Sequence, residues 1–291
     1  AAERLGGTEQ VKTLSEQVQR AADQALRQAA SRLLTRVREV VQKPQRACPL
    51  VPLIVGGDDL TVLVDGRFAL AFVRDYLQHF GEQTRTELVG QAAGRDCLTA
   101  SAGIAIVTPH FPFSTAYHIA EQLCASAKAP TRNNPLIHAL DVHIQLDSLA
   151  CDLETVRERY RCNGAVLHER PFLLPAPDQT LPASDAHRGV DRLTRRVTMV
   201  HSLGRGRQDD RVVSRTQLHA LREELHTDTG RAQRRFADLW RRTQRNAHDR
   251  GILAELAGAS GDPPTLLRPG PKSTSLIDAL EIASITPEGA L

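Results

Sequence analysis

A chain of 291 residues, 41% hydrophobic and 24% charged, is long enough for two domains and apolar enough for a sizeable core. No apolar run approaches the roughly eighteen residues of a membrane span, and no basic segment leads into an apolar one at the N-terminus. A spanning helix is excluded and a cytoplasmic protein is expected. The formal net charge is +3, yet charge is segregated: residues 187 to 250 hold sixteen arginines, no lysine and eight Asp or Glu.

The first predicted element is a long amphipathic helix. Thr8 suits its N-cap, and Val11, Leu14, Val18, Ala21, Ala22, Ala25, Ala29, Leu33 and Val37 recur at intervals of three and four until "KPQ" intervenes. Two short Val- and Leu-rich runs, 50 to 56 and 60 to 64, follow on either side of "GGDD" and predict a β-hairpin. Helical spacing returns over 66 to 80, and a polar, flexible stretch is expected over 81 to 96. Then come a strand over 97 to 108, a helix over 113 to 129 stopped at Pro130, and an alternating strand over 139 to 146. On that last strand Asp141 and His143 share a polar face beside His138, and a solvent-exposed face accounts for all three.

Past residue 175 the character changes. A Pro-rich linker is expected over 176–190, and 191–291 reads as a basic, mostly helical extension. Within it "LGRGRQDD", 203 to 210, is expected to be a connector, and Ala232, Phe236, Leu239 and Trp240 form one apolar stripe of a helix. Two roles stay open for the arginines there, nucleic acid or protein docking. The last forty residues predict a loose linker and one short helix, 273 to 284. Five scattered cysteines without a C-x-x-C pair read as free thiols of a reducing compartment.

Helix, hairpin, helix, strand, helix and strand in this order predict an α+β fold, a ferredoxin-like palm of the nucleotidyl cyclase and polymerase type. Its first strand has no counterpart in the sequence. Chemistry is expected at the hairpin. Glycines and aspartates are also ordinary turn residues, so "VGGDDL" has a plain structural explanation. Against it, adjacent Asp58 and Asp59 repel each other between apolar strands unless a cation neutralises them, and Mg2+ (or Mn2+), held by carboxylates and substrate phosphates, does this.

The hairpin "PLIVGGDDLTVLVDGRFALAFVRDYLQHF", the strand "TASAGIAIV" with "PFSTAYHIAEQLCASAKA", and the later "ALDVHIQLDS" and "HERPFLL" together define residues 1–175 as a GGDD palm domain. They resemble the second palm of the large subunit of type III CRISPR effector complexes. The resemblance implies a CRISPR-associated nucleotidyltransferase that condenses ATP into cyclic oligoadenylate in antiviral defence. By position, Asp58 and Asp59 are then the metal-binding, catalytic carboxylates, and Gly56 and Gly57 let the nucleotide approach the backbone. Ser101 and Gly103 lie on the neighbouring strand, and Lys128 faces the triphosphate. As a residue at a helix end, Lys128 is equally explained by the helix dipole. A further carboxylate, which such palms place on the first strand, has no match. The alternatives are therefore an inactive palm serving as a nucleotide-binding or scaffolding module, and, less well matched, a diguanylate-cyclase-like enzyme. Partners implied are ATP and, through region 187–250, RNA or other effector subunits, with no membrane.

Overall fold

The computed structural model describes residues 2–41, 48–56, 59–88, 97–132, 134–146, 152–203, 213–270 and 272–291, with side chains from residue 11 onward. The chain divides into two compact units. One comprises Ala1–Leu146, Pro171–Ala186 and Gly289–Leu291, and the other Asp147–Arg170 and His187–Glu288. The division is not linear. Residues 171–186, placed in the sequence across the palm's end and the linker, pack in the first unit, while 152–170 pack in the second.

In the first unit, helix α1 (Ala2–Val40) starts before Thr8. Its buried face is built largely of Ala21, Ala22, Ala25 and Ala29, with Leu33 and Val37 beyond. Small side chains allow close approach to α2 (Ala69–Glu87), whose Phe72, Tyr76 and Phe80 fill the contact. Val11 and Leu14, part of the expected stripe, are exposed. An ion cluster pins the two helices: Asp75, 1% exposed, accepts from Arg36 at 2.8 Å and from Arg74 at 3.1 Å. Burial of that carboxylate is tolerable because the guanidinium groups compensate it.

Helix α2 runs well past residue 80, so the expected flexible stretch is helical as far as Glu87. The reason is tertiary. Thr84 is fully buried, donates to the Phe80 carbonyl and accepts from the Leu98 N–H at 3.0 Å, and Arg85 pairs with Asp178. Polar residues that read as loop are matched one by one with partners.

Strands β1 (Leu50–Gly56) and β2 (Asp59–Val64) form the antiparallel hairpin, with Gly56 opposite Asp59 and an irregularity between Pro52 and Ile54. Leu50, Val62 and Val64 pack against the α1–α2 core, whereas Val51, Leu53, Ile54, Val55 and Leu63 are exposed. A second sheet has the order β3 (Ser101–Val107), β4 (Ile137–Gln145), β7 (Phe172–Pro175). β3 and β4 are parallel and joined by helix α3 (Phe113–Thr131), which passes through Pro130 rather than stopping before it. β7 returns antiparallel to β4. Mixed α+β architecture is thus established. Among the described residues the hairpin and the three-stranded sheet are separate sheets.

β4 is the central strand of its sheet and is buried on both faces along nearly its whole length. His138 and Asp141 are fully buried and His143 nearly so, which corrects the expected solvent-exposed face. Two of them find side-chain partners inside the unit: Ser126 Oγ donates to Asp141 Oδ2 at 2.7 Å, and His143 Nε2 meets Gln145 Oε1 at 2.8 Å. On the opposite face α2 comes close at Gly81, where a Cβ would lie 2.8 Å from His138 Nε2.

Burial lowers the His138 imidazole from 6.5 to about 4, while its Nδ1 accepts from the Ala100 N–H at 3.1 Å. Between these values the unfolded chain binds a proton that the folded chain refuses. Stability from this group is complete above pH 6.5 and is lost as pH falls toward 4, by about 3 kcal/mol in total. The urea midpoint of the parent is therefore expected to drop more between pH 7 and pH 4.5 than that of His138→Gln, which keeps an acceptor but does not titrate. Equal drops would refute it.

In the second unit, α4 (Leu153–Glu158) is capped by Asp152, which accepts from the Thr155 N–H at 2.7 Å. A minimal hairpin, β5 (Arg161–Cys162) and β6 (Ala165–Val166), turns through Asn163 and Gly164 at positive φ, the arrangement such two-residue turns require. Helices α5 (Val190–Ser202), α6 (Arg215–Thr227), α7 (Thr229–Arg242), α8 (Ala247–Leu256) and α9 (Leu276–Ile285) complete it. The stripe expected on α7 is buried in the core, with Trp240 Nε1 donating to Asp262 at 2.6 Å. Residues 204–210 of the expected connector lie outside the described residues.

The expected loose C-terminal segment is instead integral. Leu266 is fully buried, its N–H held by Gln233 at 2.7 Å, and α9 is buried nearly all round. A helix apolar on every side is a core helix. Its two acids, Asp278 and Glu281, are paired with Arg170 at 2.7 and 2.5 Å.

Candidate active site

The site is assembled by three elements of the first unit. β2 opens on Asp59, which is exposed and makes no ion pair among the described residues. Across the hairpin, Gly56 has nothing within 4 Å of where a Cβ would stand, so the approach to this end of β1 is open. Gly57 and Asp58 lie outside the described residues.

Helix α3, packed on β3 and β4, carries Cys124 and, one turn later, Lys128. Cys124 Sγ donates to the Ser101 carbonyl at 3.4 Å, tying the helix to the first residue of β3. Burial pushes the Cys124 thiol up, the Lys128 ammonium draws it down, and the Asp59 carboxylate pushes it up again. Both charges are therefore close enough to act on one sulfur. Cys124 is thus bonded to the main chain of Ser101 and feels the charges of both Lys128 and Asp59.

Cys124 in this position was not anticipated. Its spacing of four from Lys128 on a helix was the signal that places both on one face. Gly103 has a different position. A Cβ there would stand 2.0 Å from the Ala120 carbonyl oxygen and 2.5 Å from the Cys124 nitrogen, so this glycine lets β3 lie directly on the α3 backbone.

Among the described residues no three His, Cys, Asp or Glu side chains converge as a metal site. A hard divalent cation needs oxygen donors and keeps several waters, so it does not require such a cluster. The exposed, uncommitted Asp59 carboxylate at the hairpin end is a suitable donor, and it fits the group.

A family comparison bears on this arrangement: residues 4–136 match the Cas10/Cmr2 second palm domain. Those residues are a Cas10/Cmr2 second palm. The match includes α1, the GGDD hairpin, α2, β3 and α3, that is, every element that contributes to the site. The comparison with curated proteins gave no match. The palm is thus CRISPR-associated, and its sheet continues beyond the matched segment into β4 and β7. Among the described residues no helix of the chain is long and apolar enough to cross a membrane.

Proposed function

We propose that this palm converts ATP into cyclic oligoadenylate as a signal in antiviral defence, on a ferredoxin-like framework. The observation that carries the reading is the hairpin of a segment matching the Cas10/Cmr2 second palm, which ends with Gly56 opposite an exposed Asp59 and open space beside Gly56. Asp58 and Asp59 would hold Mg2+ (or Mn2+), which when bound neutralises triphosphate charge and polarises the reacting phosphoryl oxygens.

The remaining roles belong to the chain's own side chains. Lys128 presents an ammonium to the triphosphate. Gly56 and Gly57 leave room for the nucleotide against the hairpin backbone, and Ser101 borders the site on β3. Burial keeps the Cys124 thiol protonated, so it adds no negative charge beside the phosphates. Gly103 acts as a positioning residue, holding α3 and hence Lys128 against β3.

The test is turnover of labelled ATP by the whole chain with Mg2+ or Mn2+, with and without RNA, beside the Asp58→Ala, Asp59→Ala double variant. Product is expected to fall by at least about a hundredfold in the variant, with unchanged circular dichroism. ATP binding without turnover in every condition would sink the enzymatic reading and leave a nucleotide-binding or scaffolding palm.

A further inference from the structure

Helices α6 and α7 form an antiparallel pair joined at Asp228, which ends the first helix and caps the second. Between them runs a groove of about 470 Å³. Four arginines line it, Arg231, Arg234, Arg235 and Arg242, against two acids, Glu224 and Asp238. The acids are already engaged: Glu224 pairs with Arg235 at 3.2 Å and Asp238 with Arg241 at 2.8 Å. Asp228, near Arg231 and Arg234, spends its carboxylate on the N–H groups of Gly230 and Arg231. Among the described residues Arg231, Arg234 and Arg242 form no ion pair, and all three are exposed.

The three lie on one side of α7, and the eleven steps from Arg231 to Arg242 rise about 16 Å at 1.5 Å per residue. A row of guanidinium forks of this length matches successive anionic groups on one extended molecule, and guanidinium recognises phosphate bidentately. The large apolar residues of α7 do not serve as anchors for a protein. Phe236, Leu239 and Trp240 are between 0% and 7% exposed and face the unit's own core. An interface without an exposed aromatic or aliphatic anchor lacks what usually supplies protein binding energy.

We propose that the α6–α7 groove binds the phosphodiester backbone of a single-stranded nucleic acid without reading its bases. No aromatic ring lines the groove, so bases have no stacking platform there. A single row of guanidinium groups about 16 Å long on one helix follows the phosphates of one strand. The inference does not depend on nucleotide chemistry at the hairpin, since it concerns the other unit and is read by binding alone.

The experiment is fluorescence anisotropy of the whole chain with labelled 15-mer oligouridylate and oligothymidylate, over a range of salt concentrations. Both oligomers are expected to bind similarly, with log Kd rising linearly with log salt. The Arg231→Ala, Arg234→Ala, Arg242→Ala variant should bind about tenfold or more weakly, with a salt slope smaller by about 2. Arg27→Ala, Arg38→Ala, Arg132→Ala removes the same charge from the first unit and should leave the slope unchanged, with circular dichroism confirming both folds. Equal affinity of the groove variant and the parent would overturn the proposal. So would displacement of the strand by polyglutamate or by a duplex as effective as unlabelled oligouridylate, the former assigning the groove to an acidic protein.

Discussion

Gly103→Ala is expected to force β3 and α3 apart and lower the stability of the first unit by about 3 kcal/mol or more. A Cβ at this position would stand 2.0 Å from the Ala120 carbonyl oxygen, 2.5 Å from the Cys124 nitrogen and 3.0 Å from Leu123 Cβ. Two of the three obstacles are main-chain atoms of a hydrogen-bonded helix, so no rotamer change relieves them. The strand has no freedom either, because β3 is held in parallel register with β4 from Ser101↔Ala139 to Val107↔Gln145. The helix must therefore move, carrying Cys124 and Lys128 away from Ser101 and Asp59. Urea unfolding should show a lower midpoint, and hydrogen exchange over 101–131 should accelerate. Ala120→Gly should not rescue the variant, because the clash at that residue is with its carbonyl. An unchanged midpoint and unchanged exchange would show that the contact yields at no cost.

Arg170→Met is expected to cost the second unit roughly 3–5 kcal/mol, because it strands two buried carboxylates. Arg170 has no exposed side-chain surface; its Nε donates to Asp278 at 2.7 Å and its other end reaches Glu281 at 2.5 Å. Tyr160 donates to Glu281 at 2.8 Å, and Asp278 also accepts from the Glu169 N–H at 2.8 Å. Burial lifts the Asp278 carboxyl to about 6 even with Arg170 opposing it. Removing the guanidinium raises it further, so the folded variant takes up a proton that the unfolded chain, with its ordinary carboxyl, releases. The loss should thus be smaller at pH 5 than at pH 8. Trp240 is the sole tryptophan of the sequence and lies in this unit's core, so its fluorescence reports the transition. Adding Asp278→Asn and Glu281→Gln to Arg170→Met should restore much of the stability, since the amide oxygens still accept. A variant as stable as the parent at pH 8 would refute the account.

The amino-acid sequence by itself determined the local elements whose apolar spacing is unambiguous. The α1 stripe from Ala21 to Val37, the hairpin about "GGDD", the β3–α3–β4 order and the buried stripe of α7 all follow from period and punctuation. It also marked Ser101, whose carbonyl accepts from Cys124 Sγ on α3. Tertiary structure decided what periodicity does not encode, namely which polar residues have partners. Thr84 and Arg85 extend α2 through a segment that reads as loop, because their hydrogen bonds lie with Leu98 and Asp178, far along the chain. Asp141 and His143 share a face that reads as facing water, yet Asp141 is bonded to Ser126 of α3 and both are buried, while His138 on the other face lies against Gly81 of α2. The C-terminal segment reads as a loose linker and one short helix, yet α9 is a core helix whose Asp278 and Glu281 are neutralised by Arg170, more than a hundred residues earlier. Gly103 reads as a ligand-side glycine, and only the α3 backbone lying against it supplies the packing reason. In each case a long-range contact overrides a local pattern, because the cost of burying a polar group depends on its partner and not on its neighbours in sequence.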